Sequence, residues 1–174
     1  RPVLAPMRLP LATRVRDFTH APFLLVDLET KGGITGRMSG MTFHPLGLKL
    51  VPEAMQFLAD ALKGRALSFA DLSAVHDECQ HRLSLLGHEG VVQMALSMLD
   101  MALHDAMARA AGLPLYKLLG GRSVPLQAYN SCGNGLMEPA AVAKQAKLLA
   151  AESGGYRHVK VRFGREAIAD DIAT

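Results

Sequence analysis

Residues 97–121 read SMLDMALHDAMARAAGLPLYKLLGG, and this stretch decides how the rest of the chain is interpreted. Its first half lies in a longer segment, residues 89–111, whose side chains are apolar almost all round a helix. A helix of that kind is normally buried on several sides, so the segment predicts a long buried helix. Gly112 and Pro114 predict its end, because proline cannot continue a helix.

Strands are predicted near the start of the chain. Residues 3–11 and 23–30 are rich in Val, Leu and Phe, whereas residues 11–22 between them have the character of a charged turn. Gly32 and Gly33 supply turn conformations that other residues resist. They therefore predict a hairpin in which residues 23–30 pair with residues 34–40.

Two helices are predicted between the hairpin and the buried helix. Residues 52–63 place apolar side chains at helical spacing, and Gly64 is expected to stop that helix. Ser68 is a suitable cap for a second helix over residues 69 to about 86. Together with the hairpin and the helix over 89–111, this predicts an α+β fold for the first 120 residues.

The pattern changes to alternating strands and helices after residue 124. Residues 124–131 and 156–164 predict short strands, and residues 138–152 predict a helix that Gly154 and Gly155 close. A further helix is expected to begin near Arg165. This order is typical of parallel βα units. Since an eight-unit barrel takes about 250 residues, we expect further chain beyond residue 174.

Residues 97–121 resemble a hallmark of the mandelate racemase/muconate lactonizing enzyme family of the enolase superfamily. In that family a buried helix reading close to D-M-A-L-W-D runs into G-x-P-L-x-x-L-L-G-G, and His104 here replaces the common Trp. VPLQAYNS (124–131) and VKVRFG (159–164) follow at the expected places. The resemblance covers nearly the whole chain. It implies an enolase-like capping domain over residues 1–120, a strand hairpin plus a helical bundle, and the first βα units of a (β/α)-barrel over residues 121–174.

The resemblance also implies removal of a proton alpha to a carboxylate, with Mg²⁺ and cationic side chains stabilising the enediolate that forms. In the family three carboxylates on the third, fourth and fifth barrel strands bind the metal. We expect those strands beyond residue 174, so no metal ligand is named. Asp170 and Asp171 are not candidates, because they lie at the start of a predicted helix, where acidic residues complement the helix dipole.

Lys160 matches the first lysine of the family's Lys-x-Lys motif, and Arg162 replaces the second. Two residues apart on a strand, they would share one face at roughly 6.5–7 Å. Removing a proton at pH 7 costs an arginine at least roughly 7 kcal/mol and a lysine about 4.6 kcal/mol before the surroundings act. We therefore predict that Arg162 binds the substrate carboxylate or stabilises charge, and that the base is Lys160 or a group beyond residue 174. The alternative is that both are ordinary solvated charges at a strand end.

Further substrate contacts are predicted from the resemblance. Tyr129 and Ser131 end the first predicted barrel strand, and Ser131 is preferred because a hydroxyl both donates and accepts; the alternative for it is a structural turn residue. Loops 14–20 and 38–44 correspond to capping loops that close over the family's site. Their basic side chains would grip an acidic substrate, and their apolar ones would form a wall. The predicted contacts from these loops are Arg16, His20, Met38 and Phe43.

Composition argues against several other classes of protein. The chain is 49% hydrophobic and 20% charged, as soluble globular proteins are, and no apolar run reaches the roughly 18–20 residues that span a membrane. The net charge of +3 is scattered and aromatic residues make up 5%, which argues against nucleic-acid binding. Cys79 and Cys132 are too few for a disulfide framework and fit free thiols in a reducing cytosol.

The resemblance to this family, together with these features of composition, implies a Mg²⁺-dependent cytoplasmic enzyme that acts on a small-molecule carboxylate and forms a homo-oligomer. An acid-sugar dehydratase is the first choice, because it needs one good base and an acid for the departing hydroxide. A racemase, epimerase or cycloisomerase is the second, since Arg162 weakens the second base. The alternative of another class is a non-catalytic capping or interaction domain, with the helix over 89–111 and its methionines serving a partner. Residues 1–174 alone are expected to be inactive.

Overall fold

The computed structural model describes residues 1–152 and 156–172. The described residues form three β-strands and six α-helices, with short 3₁₀ turns at Phe69–Asp71 and Ser84–Leu86. In chain order the elements are β1 (Pro2–Ala12), β2 (Asp17–Glu29), β3 (Thr35–Met41), α1 (Gly47–Leu62), α2 (Leu72–Arg82), α3 (Val91–Ala110), α4 (Leu115–Leu118), α5 (Pro139–Ala150) and α6 (Ile168–Ile172). The predicted combination of a strand hairpin with helices is confirmed.

The three strands form one sheet in the order β1-β2-β3, and the predicted hairpin is confirmed. β2 and β3 are antiparallel, with Phe23 opposite Met41 and Glu29 opposite Thr35. The prediction of a turn over residues 11–22 is wrong from residue 17 onwards, where β2 already begins. The turn is confined to residues 13–16, where the Thr13 hydroxyl donates to the Arg16 carbonyl at 2.8 Å. Aromatic and β-branched residues after it favour the strand.

The buried helix is α3, and it packs closely against β3. A Cβ added at Gly36 would lie 2.1 Å from the Ala102 carbonyl oxygen, and one at Gly40 would lie 2.5 Å from the Met98 methyl group. Gly36 therefore lets the helix backbone approach the strand more closely than any side chain allows, and Gly40 leaves room for the Met98 side chain. The Asp105 carboxylate joins the same elements by accepting from the Arg37 backbone N–H at 2.7 Å.

The main core lies where α1, α2 and α3 meet. α3 begins and ends within two residues of its prediction, but α1 begins at Gly47 rather than at residue 52. Proline favours the first turn of a helix, so Pro52 predicts a start there. The helix already starts earlier, where the Gly47 N–H donates to the His44 carbonyl and the Leu50 N–H donates to the Leu46 carbonyl. The core side chains are Leu58, Leu62, Leu72, Val75, Cys79, Leu83, Val92, Leu96, Leu99 and Leu103.

The helix predicted over residues 69–86 is interrupted at both ends. The Asp71 carboxylate accepts hydrogen bonds from the Ser68 N–H at 2.7 Å and from the Ser68 hydroxyl at 2.6 Å, and this pair closes a 3₁₀ turn before α2. α2 ends at Arg82, and a second 3₁₀ turn leads to Gly87. The predicted helix was too long because the apolar spacing continues through residues whose backbone forms 3₁₀ turns instead of α-helix.

The described chain divides into two compact units. The first contains Arg1–Ala5 and Pro22–Ser123, and the second contains Pro6–Ala21 and Val124–Thr174. The domain boundary at residue 120 stays a prediction. No helix in the described part of the chain combines the length and the hydropathy that a membrane crossing requires.

The second unit contains the predicted parallel pairing but little regular strand. Asn130 pairs in parallel with Val159: the Asn130 N–H donates to the His158 carbonyl and the Lys160 N–H donates to the Asn130 carbonyl, both at 2.9 Å. The continuous strands predicted at 124–131 and 156–164 are not formed among the described residues. A strand assignment needs a ladder of such bonds, and the described residues supply one bridge.

The helices of the second unit follow the prediction more closely. Glu138 and Pro139 begin α5 as expected, and Val142 and Leu149 on it are buried. α6 begins at Ile168, three residues later than predicted, because the Gly164 and Arg165 N–H groups donate to the Asp171 carboxylate instead of starting a helix. The closure predicted at residues 154 and 155 lies outside the described residues.

Candidate active site

The bridge at Asn130 determines which side chains of the first strand segment face the site. The Asn130 side chain is buried against α5, where its amide donates to the Leu149 carbonyl at 3.3 Å and to the Glu152 carboxylate at 3.2 Å. Since side chains alternate along an extended segment, the neighbouring Tyr129 and Ser131 point to the opposite face. Both are exposed there, as expected of substrate contacts.

Tyr129 and Lys160 line one open groove of about 460 Å³, together with Gln127, Ala128, His158 and Val159. The parallel bridge brings these residues together, because it places the first and second strand segments side by side. Gln127 Nε2 lies 3.3 Å from His158 Nδ1 across the groove. The sequence interpretation missed both Gln127 and His158, although they occupy alternate positions with Tyr129 and Lys160, which is the signal that would have found them.

Arg162 is not among the residues that line this groove, and it does not project freely into solvent. Its side chain is partly buried, and its Nη1 donates to the Gly133 carbonyl at 3.0 Å. A guanidinium carries five donors, so this bond leaves the group able to bind an anion as well. The carboxylate-binding role of Arg162 stays a prediction.

The loop over residues 131–137 closes the end of the first strand segment, and its role was missed in the sequence. Gly133 (φ 57°) and Asn134 (φ 45°) both have positive φ, and both are buried. The Asn134 side-chain amide donates to the Lys160 carbonyl at 3.2 Å, and its backbone N–H donates to Gln145 Oε1. The pair Asn-Gly in the sequence indicates a turn, but nothing local indicates that the turn contacts Lys160.

The Asp171 carboxylate forms an ion pair with the Arg165 guanidinium. The Arg165 guanidinium donates to Asp171 Oδ1 at 2.9 Å, and its other end donates to the Met137 carbonyl. Burial alone would raise the pKa of the Asp171 carboxyl, but hydrogen bonds from the backbone N–H groups of Gly164 and Arg165 and from the Arg165 side chain together lower it below its ordinary value. Asp170 and Asp171 lie in the first turn of α6, as predicted.

Residues 1–152 and 156–172 contain no group of three His, Cys, Asp or Glu side chains that could hold a metal ion. His104, predicted to be a satisfied core residue, is partly buried, with Nδ1 2.9 Å from the Asp100 carbonyl oxygen and 3.3 Å from Asp100 Oδ2. His76 Nδ1 lies 3.7 Å from Asp100 Oδ1. These three side chains join α2 to α3 and serve the packing of the first unit.

Arg16 and His20 lie in the second unit, as do the groove residues. The Arg16 guanidinium carbon lies 5.0 Å from the centre of the Phe18 ring, a cation–π arrangement that orders the 13–16 turn. His20 is exposed on β2, with Nδ1 3.1 Å from the Thr19 hydroxyl. Arg16 therefore lies in the predicted loop, whereas His20 lies in a strand. Their contact with substrate stays a prediction.

Phe43 and Met38 lie in the first unit and differ in their environment. Phe43 is 59% exposed and has a φ of 57°, which is uncommon for a bulky residue. Buried Thr42 fixes this turn, because its hydroxyl donates to the His44 carbonyl at 3.0 Å. Met38 was predicted in a loop but lies in β3, partly buried against the cluster of Leu24, Val51, Ala95 and Met98. The loop prediction for Met38 is wrong because β3 continues to Met41.

Comparison with known proteins shows to which family this chain is similar. Residues 1–120 match the model of the mandelate racemase/muconate lactonizing enzyme N-terminal domain. The chain is 28% identical over 174 residues to the L-talarate/galactarate dehydratase of Salmonella typhimurium, covering 94% of this chain and 43% of that protein. The chain thus spans less than half the length of this relative.

Solved structures agree with this match. An enolase from alpha proteobacterium bal199 with bound Mg superposes with a TM-score of 0.89 at 36% identity, over 99% of this chain and 47% of that one. An enolase from Bradyrhizobium complexed with magnesium and mandelic acid has a TM-score of 0.84 at 31% identity, over 99% of this chain and 46% of that one.

Proposed function

Because the chain belongs to the mandelate racemase/muconate lactonizing enzyme family, we propose that it is part of an enzyme that removes the alpha proton of a hydroxy-acid carboxylate, an acid-sugar dehydratase in the first place. The observation that carries the proposal is the parallel bridge between Asn130 and Val159. It sets the hydroxyl-bearing Tyr129 beside Lys160 in one open groove. The dehydratase relative and the carboxylate bound in the Bradyrhizobium structure support the substrate class.

The proposed roles follow from the chemistry of each side chain. Lys160 takes the alpha proton, and the bonding electron pair moves into an enediolate. The Arg162 guanidinium, partly buried and fixed by the Gly133 carbonyl, binds the substrate carboxylate and stabilises the charge that develops. Tyr129 and Ser131 donate to the substrate's hydroxyl or carboxylate oxygens. The beta hydroxyl then accepts a proton and leaves as water, and the enol product becomes a 2-keto-3-deoxy acid.

Magnesium is present in two of the related structures. The described residues of this chain do not provide a ligand set for it, since they contain no suitable group of three side chains. We therefore assign no step to the metal here. Activity, substrate and assembly into a homo-oligomer are proposals for the whole protein.

A racemase-type reaction is the second candidate, supported by the mandelic acid bound in the Bradyrhizobium structure. It requires competent bases on both faces of the alpha carbon. Arg162 is a poor base because an arginine side chain keeps its proton at any ordinary pH. The dehydratase is preferred for this reason.

The test is a screen of the full-length gene product with Mg²⁺ against aldonic and aldaric acids in D₂O. Formation of a 2-keto-3-deoxy product is the expected result. Exchange of the alpha proton without that product would favour the racemase. Neither exchange nor product with any hydroxy-acid carboxylate would contradict the proposed function.

The roles of the two cations are tested with variants of the same protein. Lys160→Met is expected to lower kcat by about a hundredfold or more, because a general base contributes 10²–10⁴. Lys144→Met, at an exposed lysine of α5, is the matched control and is expected to leave kcat unchanged. Full turnover by Arg162→Met together with an unchanged pH–rate profile in Arg162→Lys would show that Arg162 has another role.

A further inference from the structure

Two neighbouring residues of the loop over residues 131–137, Gly133 and Asn134, are hydrogen-bonded to the two cationic residues of the candidate site. The Gly133 carbonyl accepts from Arg162 Nη1 at 3.0 Å. The side-chain amide of the next residue, Asn134, donates to the Lys160 carbonyl at 3.2 Å. Lys160 and Arg162 are two residues apart, so the Gly133–Asn134 peptide spans the gap between them.

Helix α5 holds this peptide from the other side. Gln145 Oε1 accepts from the Asn134 backbone N–H. A Cβ added at Gly133 would lie 2.4 Å from the same oxygen and 3.0 Å from Leu9 Cδ1, so the loop has no room to shift towards the helix. The peptide is therefore fixed between α5 and the strand segment that bears Lys160 and Arg162.

Asn134 occupies this place at a cost to stability. It is fully buried at 0% exposure, and its φ of 45° is left-handed, a conformation that costs asparagine less than other side chains but more than glycine. Its Oδ1 is buried without a hydrogen-bond partner among the described residues, which is also unfavourable. Glycine would relieve the strain and carry no unpaired oxygen, but it would lose the bond to Lys160.

We infer that Asn134 is a positioning residue, whose amide fixes the Lys160 backbone and whose peptide with Gly133 holds the Arg162 guanidinium, so that the two cations meet a substrate in a fixed relative position. This inference rests on the proposed function for the roles of Lys160 and Arg162. The hydrogen bonds themselves do not depend on it. The Asn134 amide donates to a backbone carbonyl, so Asn134 is not a catalytic residue.

The first test needs no substrate. Arg162 of the full-length protein is labelled with phenylglyoxal, and the rate is followed by peptide mass spectrometry. Asn134→Gly keeps the left-handed backbone and removes the amide, and Asn134→Asp keeps the shape but cannot donate. Both are expected to raise the Arg162 labelling rate about fivefold or more, since loss of one hydrogen bond changes a local opening equilibrium by that factor.

Leu149→Ala is the control for a general loss of stability. It removes a fully buried side chain of α5 and leaves the hydrogen bonds of Gly133 and Asn134 in place. Its labelling rate is expected to match that of the wild type, even though its melting temperature falls. Equal labelling of the wild type and both Asn134 variants would overturn the inference, as would the same increase in Leu149→Ala.

The second test uses catalysis and is read separately. In the active enzyme, Asn134→Gly is expected to lower kcat by about tenfold to a hundredfold with little change in KM, because a small misplacement of reacting groups costs that much. An unchanged kcat would overturn the positioning role. If the wild-type protein exchanges no alpha proton at all, the proposed function fails, and the labelling rates alone decide whether Asn134 holds Arg162.

Discussion

Two close contacts made by glycines, one in each unit, contrast in what they stabilise. In the first unit Gly36 on β3 lets the backbone of α3 approach, so the contact joins the sheet to a helix that supplies side chains to the main core. In the second unit Gly133, with a φ of 57°, lets a loop pack on α5 while its carbonyl holds Arg162. The first contact secures the fold that carries the family's hallmark. The second orders side chains that the fold alone leaves exposed, so stability and function are expected to respond differently to changes at the two places.

The largest effect is expected at the first contact. Gly36→Val places a branched side chain where a Cβ would already lie 2.1 Å from the Ala102 carbonyl oxygen, so β3 and α3 must separate. The free energy of unfolding is expected to fall by about 3 kcal/mol or more, at the upper end of overpacking effects. Urea denaturation measures it. Gly32→Ala is the control, since a Cβ there meets only the Thr30 hydroxyl at 3.9 Å, and a comparable loss in the control would refute the packing explanation.

A smaller loss of stability, with a larger loss of function, is expected at the second contact. Gly133→Ala must place a Cβ at positive φ and against Gln145 Oε1. The left-handed backbone accounts for about 1–2 kcal/mol of destabilisation, and the displaced loop is expected to lower kcat as well. Gly120→Ala is the matched control, because Gly120 has a φ of 78° with nothing within 4 Å of an added Cβ. If the two variants lose equal stability and Gly133→Ala keeps full kcat, the contact with α5 does not order the site.

The same contrast explains what was predictable from the sequence. The hairpin, α3 and α5 depend on local patterns, such as Gly32-Gly33 or the apolar circumference of residues 89–111, and the structure confirms them. The start of α1 was misplaced because a proline favours a first turn, while the helix begins at Gly47, where the His44 and Leu46 carbonyls accept its first hydrogen bonds.

The candidate site was only partly predictable. Lys160 stands out because a motif carries it, and Tyr129 and Ser131 stand out because they end the first predicted strand of the barrel. The structure brings Lys160 and Tyr129 into one groove. The bonds from Asn134 to Lys160 and from Arg162 to Gly133 join residues 26 and 29 positions apart. Neither residue type nor spacing indicates such a pairing, because it depends on how the loop, α5 and the second strand segment pack together. His158 and Gln127 were missed for another reason, since their alternation with Lys160 and Tyr129 along the two strand segments is visible in the sequence.

A change at Phe43 tests whether backbone strain accompanies function in the first unit too. Phe43 is 59% exposed with a φ of 57°, so its ring adds little to the core while its backbone is strained. Phe43→Asn, which tolerates this conformation, is expected to raise the free energy of unfolding by about 0.5–1 kcal/mol. In the active enzyme it is expected to raise KM for the substrate, because an apolar contact is lost. A stabilised variant with an unchanged KM would remove Phe43 from the predicted substrate contacts.

The smallest effect is expected from pH, and it concerns the joint between α3 and β3 near Gly36. A hydrogen bond from the Arg109 side chain, with one from the Arg37 N–H, lowers the pKa of the Asp105 carboxyl below its ordinary 3.8, although burial opposes this. A carboxyl whose pKa is lower in the folded than in the unfolded protein stabilises the fold at pH values above its unfolded-state pKa. That contribution is lost as the pH falls from 3.8 through the lower pKa of the folded state. The contribution is expected to be less than about 1 kcal/mol, because the pair is partly exposed. Asp105→Asn should therefore show a shallower fall of unfolding free energy between pH 4 and pH 2 than the wild type, with Asp77→Asn, at an exposed position of α2, as the control for removing a charge. Equal slopes in the two variants would mean that the Asp105 contact does not contribute to the acid sensitivity of this joint, and that the close approach at Gly36 holds α3 on the sheet without it.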